Sequence, residues 1–304
     1  MFRNKGLPYF LITAAGLVWG ATFSLTIVAT RGEAGPMLLV TIQSIVSCAL
    51  FSILCMVSRI RPFRRKYLRH YLVLAAVGIV VPNSIYFNAA PHLSAGILSI
   101  TVSTVPMFTY ILMWVMKYEA AKGSRMVGIS LGMFAILLLI VPDQGLESTD
   151  ASLWTIAVLV CAVLYSIENV YIGEWVDDHI DVRELLCGAN IVASVFLIPM
   201  ILVNGHGVAM SWWQSESAMA VMAIALFSAT AYTLFFYSIK LAGPVFASQC
   251  AYIVTVSGVL WGIVLFSESH SFWVWVSVAV MLLGLSLVSP ITTQEKTSRN
   301  DSGQ

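Results

Sequence analysis

Ten apolar runs of about twenty residues each divide this chain of 304 residues and constrain its fold more than any other feature. A run of ~20 apolar residues can cross the ~30 Å hydrocarbon core of a bilayer as an α-helix. The runs are continuous rather than alternating, which argues against a β-barrel, whereas a helix satisfies its own backbone hydrogen bonds in lipid. They lie at about 8–29, 37–57, 71–91, 94–116, 125–142, 152–173, 183–203, 217–239, 245–266 and 271–289.

The composition indicates that lipid is the solvent of this chain. Hydrophobic residues make up 59% and charged residues 10%, and the mean hydropathy is +0.88. Soluble domains have roughly 45–50% apolar and about 25% charged residues. The first run follows Arg3 and Lys5 like a signal peptide, but it is long for one and nine similar runs follow it. The sequence therefore predicts an all-α integral membrane protein with ten transmembrane helices and no soluble domain.

The distribution of Lys and Arg predicts the orientation of the chain in the membrane. With a cytoplasmic N-terminus and ten spans, fifteen of the 16 Lys and Arg residues fall on one side, and Arg31 falls on the other. Cytoplasmic loops carry the excess of Lys and Arg, so we expect both termini in the cytoplasm and the protein in the inner (plasma) membrane. The basic stretch RIRPFRRKYLRH at 59–70 is interpreted as part of this signal, facing anionic lipid and not nucleic acid.

The ten spans divide into two halves of five. An odd number of spans per half gives the halves opposite orientations, which is the inverted-repeat plan of many secondary transporters. With an offset of 149 residues, each half shows a short turn of small residues, a long span and a lone acid, Glu119 or Glu268. We predict a first five-helix repeat at 1–146, a second at 147–290 and a disordered cytoplasmic tail at 291–304. The two acids are interpreted as solvated helix-end carboxylates or as helix-packing partners.

Three stretches carry a resemblance to a known family: GLVWGATF at 16–23, SAGILSITVSTVPMFTYILMWVMKYE at 94–119 and AGPVFASQCAYIVTVSGVLWGIVLFSE at 242–268. With these motifs the chain resembles the drug/metabolite transporter superfamily, EamA type, over residues 7–290. The resemblance implies two inverted five-helix halves with both termini cytoplasmic and a central cavity through which small metabolites move. Export of these metabolites is also implied by the resemblance and not by any residue. Members of this family often carry an Arg in the second span, where this chain has Gln43.

Polar side chains deep inside the spans are the candidate substrate-binding residues, because exposing them to lipid is costly and they therefore face the bundle interior. Eight spans contribute such residues, whereas the fifth and tenth contribute almost none and are interpreted as peripheral support. The predicted substrate-binding residues are Trp19, Thr22, Gln43, Asn83, Tyr86, Ser103, Tyr165, Glu168, Asn169, Asn190, Tyr232, Gln249 and Tyr252.

Several of these residues have a structural alternative. A Ser or Thr in a membrane helix often bonds the carbonyl of its own preceding turn, which applies to Ser99, Ser103 and Ser228. Asn and Gln side chains can join helices without touching a substrate. Pro82 and Pro106 each free a backbone carbonyl and are candidate hinges for alternating access.

Glu168 is the only acid well within a span. No Lys or Arg lies well within any span to neutralise it, and a carboxylate is costly to bury unless it is paired or protonated. It is therefore a candidate for coupling proton flow to transport. The alternatives are that it reaches the cytoplasmic interface, or that Asn169 and neighbouring tyrosines hold it.

These features exclude several classes of function. The sequence has no P-loop, no GxSxG and no HExxH, and its five histidines show no metal-ligand spacing. We therefore expect no cofactor, no metal and no enzyme activity. The expected function is a secondary transporter of small amphipathic or zwitterionic metabolites such as amino acids. The alternative is a flippase for a lipid-linked intermediate, although such a protein usually has a basic site for the headgroup phosphate. The sequence leaves a homodimer open.

Overall fold

The protein is a bundle of ten helical spans. The computed structural model describes residues 6–119, 123–140, 149–177, 179–204 and 208–287. Eight spans are long and apolar enough to cross a membrane, and the two others, α5 and α10, contain shorter apolar segments. The spans are α1 (Leu7–Thr30), α2 (Pro36–Val57), α3 (Arg65–Ala89), α4 (Ala95–Val115), α5 (Gly123–Ile140), α6 (Thr149–Glu174), α7 (Val182–Asn204), α8 (Glu216–Ala242), α9 (Pro244–Phe266) and α10 (Phe272–Leu287). The prediction of an all-helical membrane protein with ten helices is confirmed.

Two spans, α3 and α4, are interrupted near a proline, and α9 is interrupted at Gln249. In α3 a π-helical segment, Ala75–Val80, runs into Pro82 in the first turn of the following α-helical piece. The first piece of α4 ends at Val102, and the second begins at Val105 with Pro106 in its first turn. Proline has no N–H to donate and its ring clashes with the preceding turn, which explains why the helices break there.

The packing of the spans follows a pseudo-twofold pattern. α1 contacts α8 and α9, and the equivalent helix of the second half, α6, contacts α3 and α4. The contacting pairs α2–α7 and α5–α10 each consist of one helix and its equivalent in the other half, so exchange of the halves leaves each pair unchanged. Exchanging α1–α5 with α6–α10 therefore maps the main contacts onto one another, which is the arrangement expected for an inverted repeat. The predicted division at 146/147 and the tail at 291–304 fall outside the described residues.

Small residues bring α1, α4 and α9 into close contact at the centre of the bundle. A Cβ added to Gly20 would meet the Gly258 backbone nitrogen at 2.8 Å, and one added to Gly258 would overlap Ser99. Ser99 Oγ donates to the Thr255 carbonyl at 3.3 Å, and Thr255 Oγ1 donates to the Ser99 carbonyl at 3.2 Å. Ser99 therefore joins α4 to α9, and the close approach of backbones matches the use of small residues in membrane bundles.

The two ends of the bundle differ in charge. At one end, which we term the basic end, Arg64 pairs with Glu184, Arg183 bonds Ser58, and Lys240 bonds the Ile180 carbonyl. Arg31 lies at the opposite end, where its guanidinium stacks 4.8 Å from the centre of the Phe266 ring. Among the side chains that the structure describes, Arg31 alone of the Lys and Arg residues lies at that end.

Glu268, at the end opposite the basic end, joins the two halves. Its carboxylate accepts hydrogen bonds from the backbone N–H groups of Ala95, at 2.8 Å, and Gly96, at 3.2 Å. His270 Nε2 lies 3.3 Å from the same carboxylate. The first N–H groups of a helix have no partner within the helix, so Glu268 caps α4. Of the two interpretations given to this acid, the structure places it as a packing partner.

Candidate functional site

A buried cavity lies at the centre of the bundle, with walls from both halves. The space open to the centre of a water molecule is about 90 Å³, several times the ~10–15 Å³ that one water needs. Side chains of α1, α2, α3, α6 and α8 contribute most of its polar groups. We term it the main cavity. Its lining includes nine of the predicted residues: Trp19, Thr22, Gln43, Asn83, Tyr86, Tyr165, Glu168, Asn169 and Tyr232.

Aromatic rings form much of the wall of the main cavity. The Trp19 ring lies edge-on to Tyr232, with centroids 4.7 Å apart, and 5.3 Å from Phe235. On another wall Tyr86 lies 5.6 Å from Phe23 and stacks 6.4 Å from Tyr165. These separations fall within the range of favourable aromatic pairs. The rings therefore support one another and present flat apolar surfaces beside hydroxyl and indole groups.

Glu168 is buried against the π-helical segment of α3. Its side chain lies so close to Gly78 that a Cβ added there would overlap the carboxyl group, and the residue is 3% exposed. Tyr232 donates a hydrogen bond to the Gly78 carbonyl at 2.8 Å. Within the described part of the chain, no hydrogen bond or ion pair reaches the Glu168 carboxyl, and no Lys or Arg lines the main cavity. The carboxyl is thus the one acidic group in a wall of neutral polar and aromatic side chains.

Several other polar groups of the wall form hydrogen bonds within the protein. Thr22 Oγ1 donates to the Trp19 carbonyl at 2.7 Å, and Thr26 Oγ1 donates to the Thr22 carbonyl at 2.7 Å. Asn169 Nδ2 lies 3.4 Å from Thr109 Oγ1 in α4, so this amide faces another helix rather than Glu168. Gln43 Oε1 and Tyr86 Oη differ, because both are buried and have no hydrogen-bond partner among the described residues. An unpaired buried amide oxygen is costly, so a ligand or water that donates to it would be stabilised.

A smaller cavity adjoins the main one on the side of the basic end. Asn190 lines this second cavity, and its Nδ2 donates to the Leu186 carbonyl at 2.8 Å. Gln43, Asn83 and Glu168 line both cavities. The second cavity offers about 20 Å³ to the centre of a water molecule, enough for about one water.

The remaining predicted residues do not line either cavity. Ser103 Oγ donates to the Ile100 carbonyl at 2.5 Å, in the break of α4. Gln249 lies in the break of α9, and its Nε2 is buried without a partner. Tyr252 is half-buried one turn further along α9 and is absent from both cavity walls.

The structure adds residues to the wall that the sequence did not single out. Phe23, Phe235 and Thr26 line the main cavity, and Ser228 lines both cavities. A phenylalanine gives no signal in a membrane span, because apolar residues are the default there. Ser228 is polar, but it is absent from the predicted binding residues because a serine often bonds a carbonyl of its own helix. Gly78 had no signal at all, since its role depends on a segment of π-helix that brings it against Glu168.

No metal centre is found among the described residues, where no group of three or more His, Cys, Asp or Glu side chains is close enough to hold an ion. The chemistry of the wall is that of binding, with stacking surfaces, amides, hydroxyls and one carboxyl. A central cavity with walls from both halves of a ten-helix membrane bundle is an arrangement typical of transporter folds.

Comparison with known proteins identifies the family. The sequence matches the EamA-like transporter family over residues 6–141 and again over 152–289, so the chain belongs to that family. It is 25% identical over 291 residues to the protein named "Uncharacterized inner membrane transporter YedA" of Escherichia coli K12, covering 93% of this chain and 91% of the relative. It is 22% identical over 222 residues to an "Uncharacterized transporter" of Archaeoglobus fulgidus, covering 72% and 75%.

A solved crystal structure shares the fold. It superposes with a TM-score of 0.64 at 15% sequence identity, and the alignment covers 93% of this chain and 96% of the other. At this identity the likeness establishes the architecture and nothing about the substrate.

Proposed function

We propose that this protein is a secondary transporter that moves small amphipathic or zwitterionic metabolites, amino acids among them, by alternating access around the main cavity. The observation that carries the proposal is the buried central cavity, walled by aromatic rings and holding one carboxyl. Transporters with inverted repeats bind their substrates at such a midplane position between the halves. Membership in the EamA-like transporter family supports the same class of function.

The chemistry of the wall supports this class of substrate. Trp19, Tyr86 and Tyr232 offer faces on which an apolar or aromatic group stacks. Gln43 and Asn83 offer amides that bond the polar part of the same molecule. Sugar phosphates and nucleotide sugars fit poorly, because no Lys or Arg stands among the described lining residues. Ser103, Gln249 and Tyr252 belong to this proposal only if the halves move to bring them to the substrate.

The direction and location of transport rest on likeness. The relative YedA is named an inner membrane transporter, and we place this protein in the inner membrane as well. The cluster of Lys and Arg at the basic end supports a cytoplasmic position for that end and for both termini. Export is inferred from the resemblance to the family and not from any residue.

Glu168 is the proposed coupling group. It lines both cavities, it is buried, and no partner for its carboxyl is found in the described part of the chain. A buried carboxylate without a partner is costly, so binding of a proton or of a substrate ammonium group stabilises the site. Proton and substrate would then compete for one carboxyl, which couples their movements.

The flippase alternative has no observation in its favour. It requires a basic site for the headgroup phosphate, and the described lining of the main cavity holds neither Lys nor Arg. The molecular mass of the purified protein tests whether it forms a homodimer.

Purified protein in liposomes tests the proposal. A panel of radiolabelled amino acids and amphipathic amines is applied with and without a pH gradient, and we expect uptake of at least one class above that of empty liposomes. Glu168→Gln should abolish the response to the pH gradient, whereas the exposed Glu216→Gln should retain it. No movement of any solute under any gradient would refute transport, and an unchanged pH profile in Glu168→Gln would refute the coupling role alone.

A further inference from the structure

The second cavity extends the main cavity toward the basic end. Ser47 and Asn190 line it, and so do Leu74 of α3 and Leu186 of α7. Because α3 and α7 both begin at the basic end, these two leucines are the lining residues of their helices nearest that end, and we term them the floor. Because Glu168 and Tyr232 line both cavities, the two are consecutive compartments of one path. On the proposal that the main cavity binds substrate, the second cavity is the part of the path nearest the basic end.

A cluster of three side chains lies directly beyond this floor. Arg64, in the loop before α3, donates from Nε to Glu184 Oε1 at 2.5 Å, and its Nη2 pairs with Glu184 Oε2. Tyr71 donates to the same Oε1 at 3.0 Å. Glu184 lies two residues before Leu186, and Tyr71 three residues before Leu74. At 1.5 Å per residue of helix, the cluster is about one turn from the residues that form the floor.

Tyr71 fills the space between the halves at this level. Its side chain is fully buried, and its ring lies against α7 where residue 188 is a glycine. A methyl group at Gly188 would come within 2.6 Å of three atoms of that ring. On its other side the Phe63 ring lies 5.0 Å away. The glycine therefore permits the position of the ring, and the ring blocks the way from the floor to the basic end.

The chemistry of the cluster suits a contact that opens and closes. Arg64 and Tyr71 belong to the first half and Glu184 to the second, so movement of one half against the other must part them. The Glu184 carboxylate is 1% exposed and depends on Arg64 and Tyr71 while the contact is closed. When the halves separate, water replaces these partners and hydrates both ions. Parting the pair in this way costs less than removing one partner, which would leave the other charge buried and uncompensated.

We propose that Arg64, Tyr71 and Glu184 form the gate that closes the transport path at the basic end, with the second cavity as the compartment immediately behind it. This inference rests on the proposed function, because a gate requires a path. The gate residues close the path and do not themselves bind substrate.

The access of a thiol reagent to the second cavity tests the gate. Ser47, which lines that cavity, is replaced by Cys in a background with the five native cysteines changed to Ser or Ala. A small, charged, membrane-impermeant methanethiosulfonate is then applied to each face of the vesicles in turn. We expect Gly188→Ala to raise the labelling rate of Cys at position 47 at least tenfold from the face of the basic end, because the added methyl displaces Tyr71.

Two further variants guard against simple misfolding. Arg64→Lys keeps the charge but loses the two-point contact with Glu184, and we expect it to raise the same labelling rate several-fold. The control is Gly123→Ala, at the start of α5 near the same end, where an added Cβ meets nothing within 4 Å; its labelling rate should equal that of the parent.

The outcomes separate this inference from the proposed function, because labelling needs no substrate. Faster labelling in both gate variants supports the gate even if no solute is ever transported. Labelling that stays at the parental rate in folded Gly188→Ala and Arg64→Lys protein, or that rises only from the opposite face, overturns it even if transport is demonstrated.

Discussion

At the residue scale, the candidate site depends on a close contact between Glu168 and Gly78. The carboxyl lies against a glycine of the π-helical segment, and Tyr232 bonds the carbonyl of the same glycine. π-helical turns are rare and occur frequently at functional sites. The position of Glu168 therefore depends on one missing side chain as much as on the acid itself.

Replacement of Gly78 by Ala should disturb this contact. The added methyl overlaps the Glu168 carboxyl, so either the carboxyl or the π-helical segment must move. We expect the free energy of unfolding to fall by about 1–3 kcal/mol. We also expect a lower transport rate, because the carboxyl is displaced from its position in the wall. Thermal unfolding in detergent and transport in liposomes measure the two effects. Gly35→Ala, where an added Cβ meets nothing within 4 Å, is the control; equal behaviour of the two variants would contradict the assigned contact.

Glu268 predicts a dependence of stability on pH. Burial raises the pKa of this carboxyl, but hydrogen bonds from His270 and from the N–H groups of Ala95 and Gly96 outweigh it and hold the pKa below its ordinary value. Its stabilising effect is therefore complete above the unfolded pKa of about 4.3 and is lost as the pH falls through the lower folded pKa. The wild-type protein should lose stability in that acid range.

Glu268→Gln should be less stable than wild type near neutral pH by about 1.5–3 kcal/mol, the range for hydrogen bonds to a charged group. It should also lose less stability on acidification, because it has no carboxylate left to protonate. Unfolding curves at several pH values measure both effects, with the exposed Glu33→Gln as the control. Parallel curves for wild type and Glu268→Gln would count against this role.

At the element scale, the interrupted spans distinguish the centre of the bundle from its periphery. α3, α4 and α9 are broken and line or adjoin the cavities. α5 and α10 contribute no residue to the walls of either cavity in the described part of the chain, and they pack on each other instead. A Cβ added to Gly284 of α10 would lie 2.6 Å from the Gly128 carbonyl of α5.

The α5–α10 pair should therefore affect stability rather than transport. Gly284→Leu should separate the two helices and lower the unfolding temperature, because α10 cannot hold a large side chain against the backbone of α5. Transport per folded molecule should remain near that of wild type. Ala279→Leu, on the exposed side of the same helix, should leave the unfolding temperature unchanged. A large fall in specific transport activity for Gly284→Leu would instead assign the pair to the transport path.

At the scale of the whole molecule, the two ends differ in how they join the halves. An ion pair between Arg64 and Glu184 joins them at the basic end, and a helix cap by Glu268 joins them at the other. Lys and Arg accumulate at the first end, and on the basis of the positive-inside rule we propose that this end faces the cytoplasm.

Labelling of single cysteines tests the orientation. In a cysteine-free background, Cys at the exposed position 33 should react with an impermeant maleimide on intact cells. Cys at the exposed position 61 should react only after the membrane is permeabilised. The reverse pattern would place the basic end outside.

The sequence was sufficient to predict most of the polar wall, and particular residues show why. Trp19, Gln43, Asn83 and Glu168 are polar groups in apolar spans, and the cost of exposing them to lipid directs them inward whatever the details of packing. The same argument could not separate wall residues from residues bonded within their own helix. Ser103 illustrates this limit, since its hydroxyl bonds the Ile100 carbonyl.

The sequence by itself determined the class of the protein, the number of spans and the candidates for the interior. The reason is that the free energy of transferring each side chain from water to lipid depends on its chemical type, which the sequence gives directly. Only the tertiary structure decided which polar groups meet. Contact between Glu168 and Gly78, and closure by Tyr71 over Gly188, depend on the phase and spacing of helices distant in sequence. The phase and spacing of the helices are set by small residues that let two backbones approach closely. Such residues are common in every apolar span, so the sequence alone does not show which of them meet.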